Sequence, residues 1–182
     1  MEVNLANFDN HWFKPGRKYK ILGWYLFNRL FFNTYIPFPS AFKIFILRLF
    51  GADIGKHVLI KPKVNIKYPW LLTISDHSWI GENVWIDNLA YVNIASNVCV
   101  SQGAFLLCGN HNYKNTEFNL FLGEITLEKG VWIGARAIVC PGVTCKSHSI
   151  LSVGSVATKD LESYSVYQGN PAQKVKERNI TE

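Results

Sequence analysis

An aliphatic residue or a cysteine returns at every sixth position of the segment 127–157. The members of this row are Leu127, Ile133, Val139, Cys145, Leu151 and Ala157. Four positions after each of the first five comes a small or branched residue, and these are Val131, Ala137, Val143, Ser149 and Ser155. A period of six matches neither the repeat of an α-helix nor the alternation of a single strand. It predicts a hexapeptide-repeat coil, in which one residue of each repeat points into a narrow interior and the small one fits at a corner.

The same rhythm begins upstream at Ile54 and continues, with two shifts of two residues, as far as Leu106. The first shift falls at 67–70, and the second resets the row at Ile94. Three hexads form one triangular turn of about 18 residues, so the rows predict some five turns of an all-β solenoid, a parallel β-helix. The rhythm disappears between Leu106 and Leu127. A loop excluded from the coil is therefore expected at about 108–124.

The β-helix is expected to occupy 51–172, between an apolar N-terminal helical segment at 1–50 and a polar C-terminal tail at 173–182. Pro37 and Pro39 divide the apolar segment into two helical candidates, 20–34 and 40–50, because proline ends a helix. The tail is expected to form a short surface helix. Neither N-terminal helix reaches the roughly 18–20 apolar residues that span a bilayer.

Two interpretations of the N-terminal segment stay open. It can act as a helical cap over the open end of the solenoid, or it can make a peripheral membrane contact with basic residues near anionic headgroups. The basic residues concerned are Arg17, Lys18, Lys20, Arg29, Lys43 and Arg48.

The composition restricts the classes of partner and the compartment. A formal charge of +6 favours acidic partners, but no nucleic-acid-binding motif is visible, so nucleic acid is the weakest of them. The four cysteines show no metal-like spacing, and Cys145 in the core row predicts a reduced, buried thiol. The first thirteen residues are acidic and polar, unlike a signal peptide, so a cytoplasmic location is expected.

Several segments resemble a known family. They are SQGAFLLCGNHNY at 101–113, TKD at 158–160, GNPA at 169–172, HWFKPG at 11–16 and LRLFGADIGKHVLI at 47–60. Together with the hexad rows they resemble the hexapeptide-repeat acetyltransferases that use acetyl-CoA, and most closely the colanic acid biosynthesis (WcaF-like) branch. The resemblance implies a left-handed coil, and an O-acetyltransferase that acts on a sugar hydroxyl in surface-polysaccharide biosynthesis.

The resemblance implies that His111 is the catalytic residue. A sugar hydroxyl is a poor nucleophile, and an imidazole with a pKa of about 6.5 can take its proton as it attacks the thioester. Asn112 stands where the family often has an aspartate, which leaves open what would orient the imidazole. A covalent route through the nearby Cys108 is an alternative that the family does not use.

Three further residues are candidates for binding the acceptor. Asp87 and Asn88 lie in the coil where related enzymes place an acceptor-binding polar residue, and the alternative is a corner residue that bonds its own backbone. Tyr113 can stack on a sugar face or anchor the loop.

For acetyl-CoA, the resemblance assigns backbone contacts with the pantetheine arm to Ala135 and Val153. It places Thr158, Lys159 and Lys176 near the phosphates and the adenine. A tail lysine such as Lys176 can also be merely solvated.

The family forms homotrimers in which each active site lies between subunits. The resemblance therefore implies a trimer, with the outward-facing Trp79, Trp85 and Trp132 as candidate interface residues. The acceptor sugar or glycan can be free, nucleotide-linked or lipid-linked, and no metal is expected to be required. Two other functions stay open: a zinc enzyme of the β-helix carbonic anhydrase type, which needs three converging histidines, and a non-catalytic scaffold.

Overall fold

A computed structural model describes residues 2–181, which form a parallel β-helix capped by helices at its N-terminal end. Two α-helices, Lys18–Phe27 (α1) and Ser40–Leu49 (α2), come first, and a π-helical turn, Asn28–Phe32, extends α1. The strands follow as Asp53–Ile54 (β1), Leu59–Ile60 (β2), Asn65–Ile66 (β3), Leu72–Ile74 (β4), Trp79–Ile80 (β5), Trp85–Asp87 (β6), Val92–Ile94 (β7), Cys99–Val100 (β8), Phe105–Leu107 (β9), Gly109–His111 (β10), Leu120–Leu122 (β11), Ile125–Leu127 (β12), Trp132–Ile133 (β13), Ile138–Val139 (β14), Thr144–Cys145 (β15), Ile150–Leu151 (β16), Val156–Ala157 (β17), Ser165–Gly169 (β18) and Ala172–Glu177 (β19).

Three sheets form the sides of the coil. Sheet A contains β1, β4, β7, β12 and β15; sheet B contains β2, β5, β8, β13, β16, β18 and β19; sheet C contains β3, β6, β9, β14 and β17. Successive turns pair in parallel, so that Ile74 lies opposite Ile54 and Ile94 opposite Ile74. Five turns are complete, and a partial sixth is formed by β18 and by a bridge from Leu161 to Cys145. The predicted solenoid is confirmed.

The hexad rows form the core as predicted, because their members are buried and stack on the residue one turn away. The corner residues Val131, Ala137, Val143, Ser149 and Ser155 are buried as well. The residue before each corner adopts a left-handed φ: Gly130 (72°), Arg136 (56°), Gly142 (81°), His148 (60°) and Gly154 (66°). Glycine meets this demand without a Cβ clash, and the other side chains tolerate it at some cost in strain.

The N-terminal helices close the open end of the coil by satisfying its free carbonyl groups. Each strand of the first turn ends in an isoleucine. Because no turn precedes this one, no backbone N–H of an earlier turn donates to the carbonyl oxygens of these isoleucines. Arg48 Nη2 donates to Ile54 O. Lys43 Nζ donates to Ile60 O at 3.2 Å, and Trp24 Nε1 donates to Ile66 O at 2.8 Å. An uncovered sheet edge would invite pairing with another chain, so these contacts act as an edge cap.

The position of the prolines in the cap agrees with the sequence analysis, whereas the position of Lys43 does not. Pro37 and Pro39 lie between the helices, close to the predicted boundaries. Lys43, considered above for a contact with anionic headgroups, is instead fully buried; no acidic group within residues 2–181 pairs with it, and burial lowers the pKa of its ammonium group. None of the helices within residues 2–181 is long and apolar enough to cross a bilayer.

All departures from the six-residue rhythm fall at one edge of the triangular coil, where sheet C leads into sheet A (the C–A edge). The first is a 3-10 turn at Pro69–Leu71, and the second lies between β6 and β7. The third is the excluded loop, which is closed at its neck by a hydrogen bond from Gly123 N to Cys108 O at 2.9 Å. These two residues lie within one position of the predicted loop ends.

The C-terminal tail is not the surface helix that the sequence suggested. Residues 172–177 form strand β19, which pairs antiparallel with β18 at the edge of sheet B. The unpaired edge of β18 offers backbone partners that an isolated polar helix would lack. The Gly-Asn-Pro turn at 169–171 therefore connects the two strands of a hairpin.

Candidate active site

His111 lies at the tip of a β-hairpin that projects from the C–A edge. Strands β10 and β11 form this hairpin, and His111 is the last residue of β10, opposite Leu120. The sequence predicted the loop but not the hairpin, because its two strands are only three residues long and alternate weakly.

Phe118 holds the imidazole of His111. The Nδ1 atom lies 2.8 Å from the carbonyl oxygen of Phe118, and the Phe118 ring stacks on the imidazole with a centroid separation of 4.5 Å and an interplanar angle of 6°. A carbonyl oxygen can only accept a hydrogen bond, so Nδ1 must carry the proton. In the neutral ring the lone pair therefore belongs to Nε2, to which no group of residues 2–181 is hydrogen bonded.

Asn112 does not orient the imidazole. Its side-chain oxygen accepts a hydrogen bond from Lys114 N at 3.1 Å, and its backbone N–H donates to Asn119 O at 2.8 Å. The asparagine shapes the loop turn, while the backbone carbonyl of Phe118 takes the place that an aspartate would fill. Phe118 has a φ of 53°, and no sequence pattern marked it.

The N-terminal arm, residues 2–16, also reaches this site. The ring of Phe8 lies 5.5 Å from that of His111, and Asn4 N donates to Thr116 O at 2.9 Å. Further along, Pro15 O accepts a hydrogen bond from Trp70 Nε1 at 2.6 Å. These contacts join residues more than fifty positions apart, so the sequence alone gave no sign of them.

Asp87 lies at the same edge as an almost buried carboxylate. Its Oδ1 atom is 2.9 Å from Lys67 Nζ, although no donor within residues 2–181 is aligned on it as a hydrogen bond. Tyr68 is its neighbour, and burial, together with the nearby Tyr25 and Asp87, raises the pKa of the Tyr68 hydroxyl to about 12. The carboxylate is thus held at the C–A edge by one ion pair, and its Oδ1 atom is buried. Lys67 was not identified from the sequence.

Asn88 requires a correction, because its side chain is fully buried and completely used by the backbone. Its Oδ1 atom accepts from the N–H groups of Lys67 and Tyr68, and its Nδ2 atom donates to the carbonyl oxygens of Tyr68 and Leu71. An amide side chain has no more than these two donors and two acceptor sites. The residue therefore holds the first irregular corner in place, and no group remains for an acceptor hydroxyl.

The loop carries two other residues considered above. Tyr113 is 75% exposed, so it does not anchor the loop within one chain. Cys108 is fully buried at the loop neck, and burial raises the pKa of its thiol to about 12, with Asp87 and Glu124 adding to the effect. A protonated, buried thiol is a poor nucleophile.

Three of the predicted cofactor residues lie together. Ala135, Val153 and Lys176 line one groove along the edge where sheet B leads into sheet C (the B–C edge), with Trp132 on its wall. The N–H groups of Ala135 and Val153 donate no hydrogen bond within residues 2–181. The groove thus offers backbone donors one turn apart, and a cationic group at its end.

Thr158 and Lys159 lie elsewhere, in a second groove at the C–A edge of the last turn. Lys174 also lines this groove, but it pairs with Glu162 at 2.8 Å and Glu177 at 2.7 Å, and these hydrogen bonds raise the pKa of its ammonium group. Lys159 and Lys176 form no ion pair with any group of residues 2–181. Both remain available for an anionic ligand, but one chain does not bring the two grooves together.

The three outer faces of the coil differ in polarity. Sheet A presents a polar ladder of Asp53, Thr73, Asn93, Thr126 and Thr144. Sheet B presents Trp79, Cys99, Trp132 and Ile150, and sheet C presents Trp85, Phe105, Ile138 and Val156. The three tryptophans are 43–58% exposed, as expected for outward-facing residues.

Within the part of the chain that the structure describes, no three His, Cys, Asp or Glu side chains are close enough to hold a metal ion. His57 and His77 stack at 4.9 Å, but they belong to the column of corner residues between sheets A and B.

The sequence is similar to that of known acetyltransferases. It is 33% identical over 170 residues, or 93% of each chain, to a colanic acid biosynthesis acetyltransferase, WcaF, of Escherichia coli (strain K12). It is also 29% identical to the galactoside O-acetyltransferase of the same organism. That alignment extends over 133 residues and covers 70% of this chain and 64% of the relative. No protein-family model matches the chain.

Solved structures share the fold. A galactoside acetyltransferase in complex with coenzyme A superposes with a TM-score of 0.79 at 24% identity, over 88% of this chain and 82% of that one. A hexapeptide-repeat acetyltransferase from Vibrio cholerae gives a TM-score of 0.74 at 21% identity, over 80% and 85% of the two chains. The fold is thus confirmed as the left-handed parallel β-helix.

Proposed function

Because the chain belongs to the colanic acid biosynthesis (WcaF-like) branch of the hexapeptide-repeat acetyltransferases, we propose that it transfers an acetyl group from acetyl-CoA directly to a sugar hydroxyl in surface-polysaccharide biosynthesis. The observation that carries the proposal is the Nδ1 hydrogen bond of His111 to the Phe118 carbonyl, since it leaves Nε2 free as a base.

The proton moves through His111. Nε2 takes the proton of the acceptor hydroxyl while the hydroxyl oxygen bonds to the acetyl carbon and the C–S bond breaks. The imidazolium then returns the proton to the departing sulfur. The Nδ1 bond to Phe118 O stabilises the transient positive charge and keeps the ring from turning. A positioned base of this kind contributes about 10²–10⁴-fold to the rate.

Asp87 is the proposed ligand of the acceptor. Its carboxylate lies at the same edge as the His111 hairpin, and the ion pair between its Oδ1 atom and Lys67 fixes its position. A sugar presents several hydroxyl donors, which suit a carboxylate acceptor. Tyr113 is exposed on the hairpin and is the proposed stacking surface for a sugar ring.

The groove at the B–C edge fits an extended pantetheine arm. The arm carries amide groups that the free N–H groups of Ala135 and Val153 can bind, and Lys176 can meet a phosphate. Thr158 and Lys159 line the separate groove at the C–A edge, and they are the proposed contacts near the phosphates and the adenine once a neighbouring subunit brings the two grooves together. Acetyl-CoA supplies the activated acetyl group, and these residues orient it.

A homotrimer is proposed because a single chain leaves the site incomplete. His111 projects from the C–A edge, whereas the pantetheine groove follows the B–C edge. A neighbouring subunit that packs its apolar faces against this chain would place its groove beside His111. The tryptophan-bearing ladders of sheets B and C supply such faces, and the polar ladder of sheet A remains for solvent.

The proposal is tested by measuring CoA release from acetyl-CoA with a panel of free, nucleotide-linked and lipid-linked sugars. Mass spectrometry of surface glycans from cells with and without the gene identifies the product. Loss of one O-acetyl group in the deletion strain is expected, with recovery by the intact gene but not by a His111→Asn version. An unchanged acetyl content would refute the pathway.

A further inference from the structure

The outer side of α1, like its inner side, carries large apolar side chains. Trp24 faces the coil and is fully buried, while Leu22, Leu26 and Leu30, the last of these in the π turn, are 73%, 58% and 51% exposed. Their spacing of four residues aligns them in one stripe along the helix. A helix that is apolar all round is normally covered on every side.

Helix α2 repeats this arrangement. Ile46 and Leu47 are buried against the coil, whereas Phe45 and Leu49 are 64% and 67% exposed. The two helices pack together, and the rings of Phe31 and Phe42 lie 5.3 Å apart. The exposed side chains Leu22, Leu26, Leu30, Phe45 and Leu49 therefore belong to one helical cap at the N-terminal end of the solenoid, and we call them the cap face.

The charge of this segment indicates what covers the cap face. Residues 10–52 contain seven lysines and arginines, of which Lys43 is buried within the cap, and no acidic residue, while the whole chain carries only +6. The rest of the molecule is therefore slightly negative. Of the basic residues, Lys18 and Arg29 lie in the same exposed stripe as Leu22, Leu26 and Leu30.

A second copy of the cap is a poor partner for this face, since it would bring two acid-free, basic segments together. The headgroup layer of an anionic bilayer is complementary instead: phosphates meet the basic side chains while the apolar stripe enters the acyl region. The ten residues of α1 and the five-residue π turn give a segment of about 22 Å, too short to span but long enough to lie in the interface.

We propose that the cap face docks on an anionic lipid bilayer, with Leu22, Leu26, Leu30, Phe45 and Leu49 inserted below the headgroups. Helix α1 also reaches the acceptor side of the coil, because Trp24 bonds Ile66 O at the end of β3, directly before the Lys67–Tyr68 corner. Docking would thus hold the C–A edge near the bilayer. If the acceptor is lipid-linked, docking would present its sugar at the C–A edge. This consequence rests on the proposed function.

The test is co-sedimentation of the full-length protein with vesicles of phosphatidylcholine alone or mixed with phosphatidylglycerol. Binding to the mixed vesicles, weakened by salt, is expected, with much less binding to the neutral ones. Leu22→Gln/Leu26→Gln, which keeps good helix-forming residues, should weaken binding by at least about tenfold because it removes two inserted apolar side chains. The matched control is Val175→Gln/Ile180→Gln, which changes two residues of similar exposure at the other end of the molecule and should bind like the wild type.

Three outcomes would overturn the proposal. The first is equal recovery with and without vesicles, and the second is undiminished binding by the Leu22→Gln/Leu26→Gln variant. The third is a fall in molar mass of this variant in light scattering without lipid, which would make the cap face a contact between subunits. Because none of these measurements uses acetyl transfer, their failure is distinct from failure of the proposed enzyme activity.

Discussion

The backbone carbonyl of Phe118 accepts a hydrogen bond from Nδ1 of His111 at 2.8 Å, while the ring of the same phenylalanine stacks on the imidazole. One residue thus sets both the tautomer and the plane of the histidine. A backbone acceptor cannot be lost by a side-chain substitution, which makes this orientation less dependent on the identity of Asn112.

Replacing the histidine tests its role as a base. His111→Asn should lower kcat by about 10²–10⁴-fold with little change in thermal stability. His148→Asn is the matched control, because His148 occupies a left-handed corner that asparagine tolerates. Equal activity of both variants in a CoA-release assay would exclude His111 from the chemistry.

The stacking ring can be tested separately from the carbonyl. Phe118→Gly keeps the backbone acceptor and suits the φ of 53°, so it removes only the ring. Because an aromatic stack contributes about 0.5–1.5 kcal/mol, kcat should fall by about two- to twelvefold while the KM for acetyl-CoA stays the same. Phe118→Tyr keeps an aromatic ring and should have the kcat of the wild type. A Phe118→Gly enzyme with full kcat would contradict a positioning role for the Phe118 ring.

Asp87→Asn tests the proposed acceptor site. Removing the charge should raise the KM for the sugar by about tenfold, since hydrogen bonds to charged groups contribute about 1.5–3 kcal/mol, and should leave the KM for acetyl-CoA unchanged. Asp53→Asn, on the polar outer face of sheet A, is the control. The assignment fails if the two Michaelis constants rise together.

Direct transfer gives Cys108 no step in the reaction. Cys108→Ala should keep kcat within about threefold of the wild type, and rapid-quench kinetics should show no acetyl-enzyme burst. In the native protein this thiol should not react with a disulfide reagent near pH 8, because its pKa is raised to about 12. A stoichiometric burst that disappears in Cys108→Ala would establish the covalent route.

The buried thiol of Cys145 makes stability depend on alkaline pH. Burial raises its pKa from 9.0 to about 12 in the folded state, so between these values the unfolded chain binds fewer protons. The free energy of unfolding should therefore fall as the pH rises from about 9 towards 12. Urea unfolding of Cys145→Ala should show a shallower fall than the wild type, and parallel curves would show that the thiol does not contribute.

The repeat and its interruption were readable from sequence because both depend on local period. Every hexad places one residue inside the coil, so the six-residue spacing alone predicts that Leu127 and Ile133 are buried. The contacts around His111 could not be read in this way. Phe8 comes from a segment about a hundred residues away, and the carbonyl of Phe118 leaves no mark on side-chain pattern.

Two wrong or incomplete expectations share a cause. Asn88 resembles a ligand because it is polar and near the site, yet four backbone groups of an irregular corner use it completely. The tail at 172–177 is polar on both sides, so its sequence carried no strand signal. In both places the backbone of a neighbouring element, and not the side chain itself, decided the outcome.

Every irregular corner of the coil lies at the C–A edge, which forms one seam that accepts insertions, while the other two edges keep the six-residue spacing. A loop can lengthen, shorten or be exchanged at this seam without changing the register of the strands that line the groove proposed for the pantetheine arm. A change of loop is therefore expected to alter the proposed acceptor side and to leave the proposed donor side in place. For the engineer, the same property makes the neck between Cys108 and Gly123 a natural junction for grafting a foreign hairpin onto an unchanged coil.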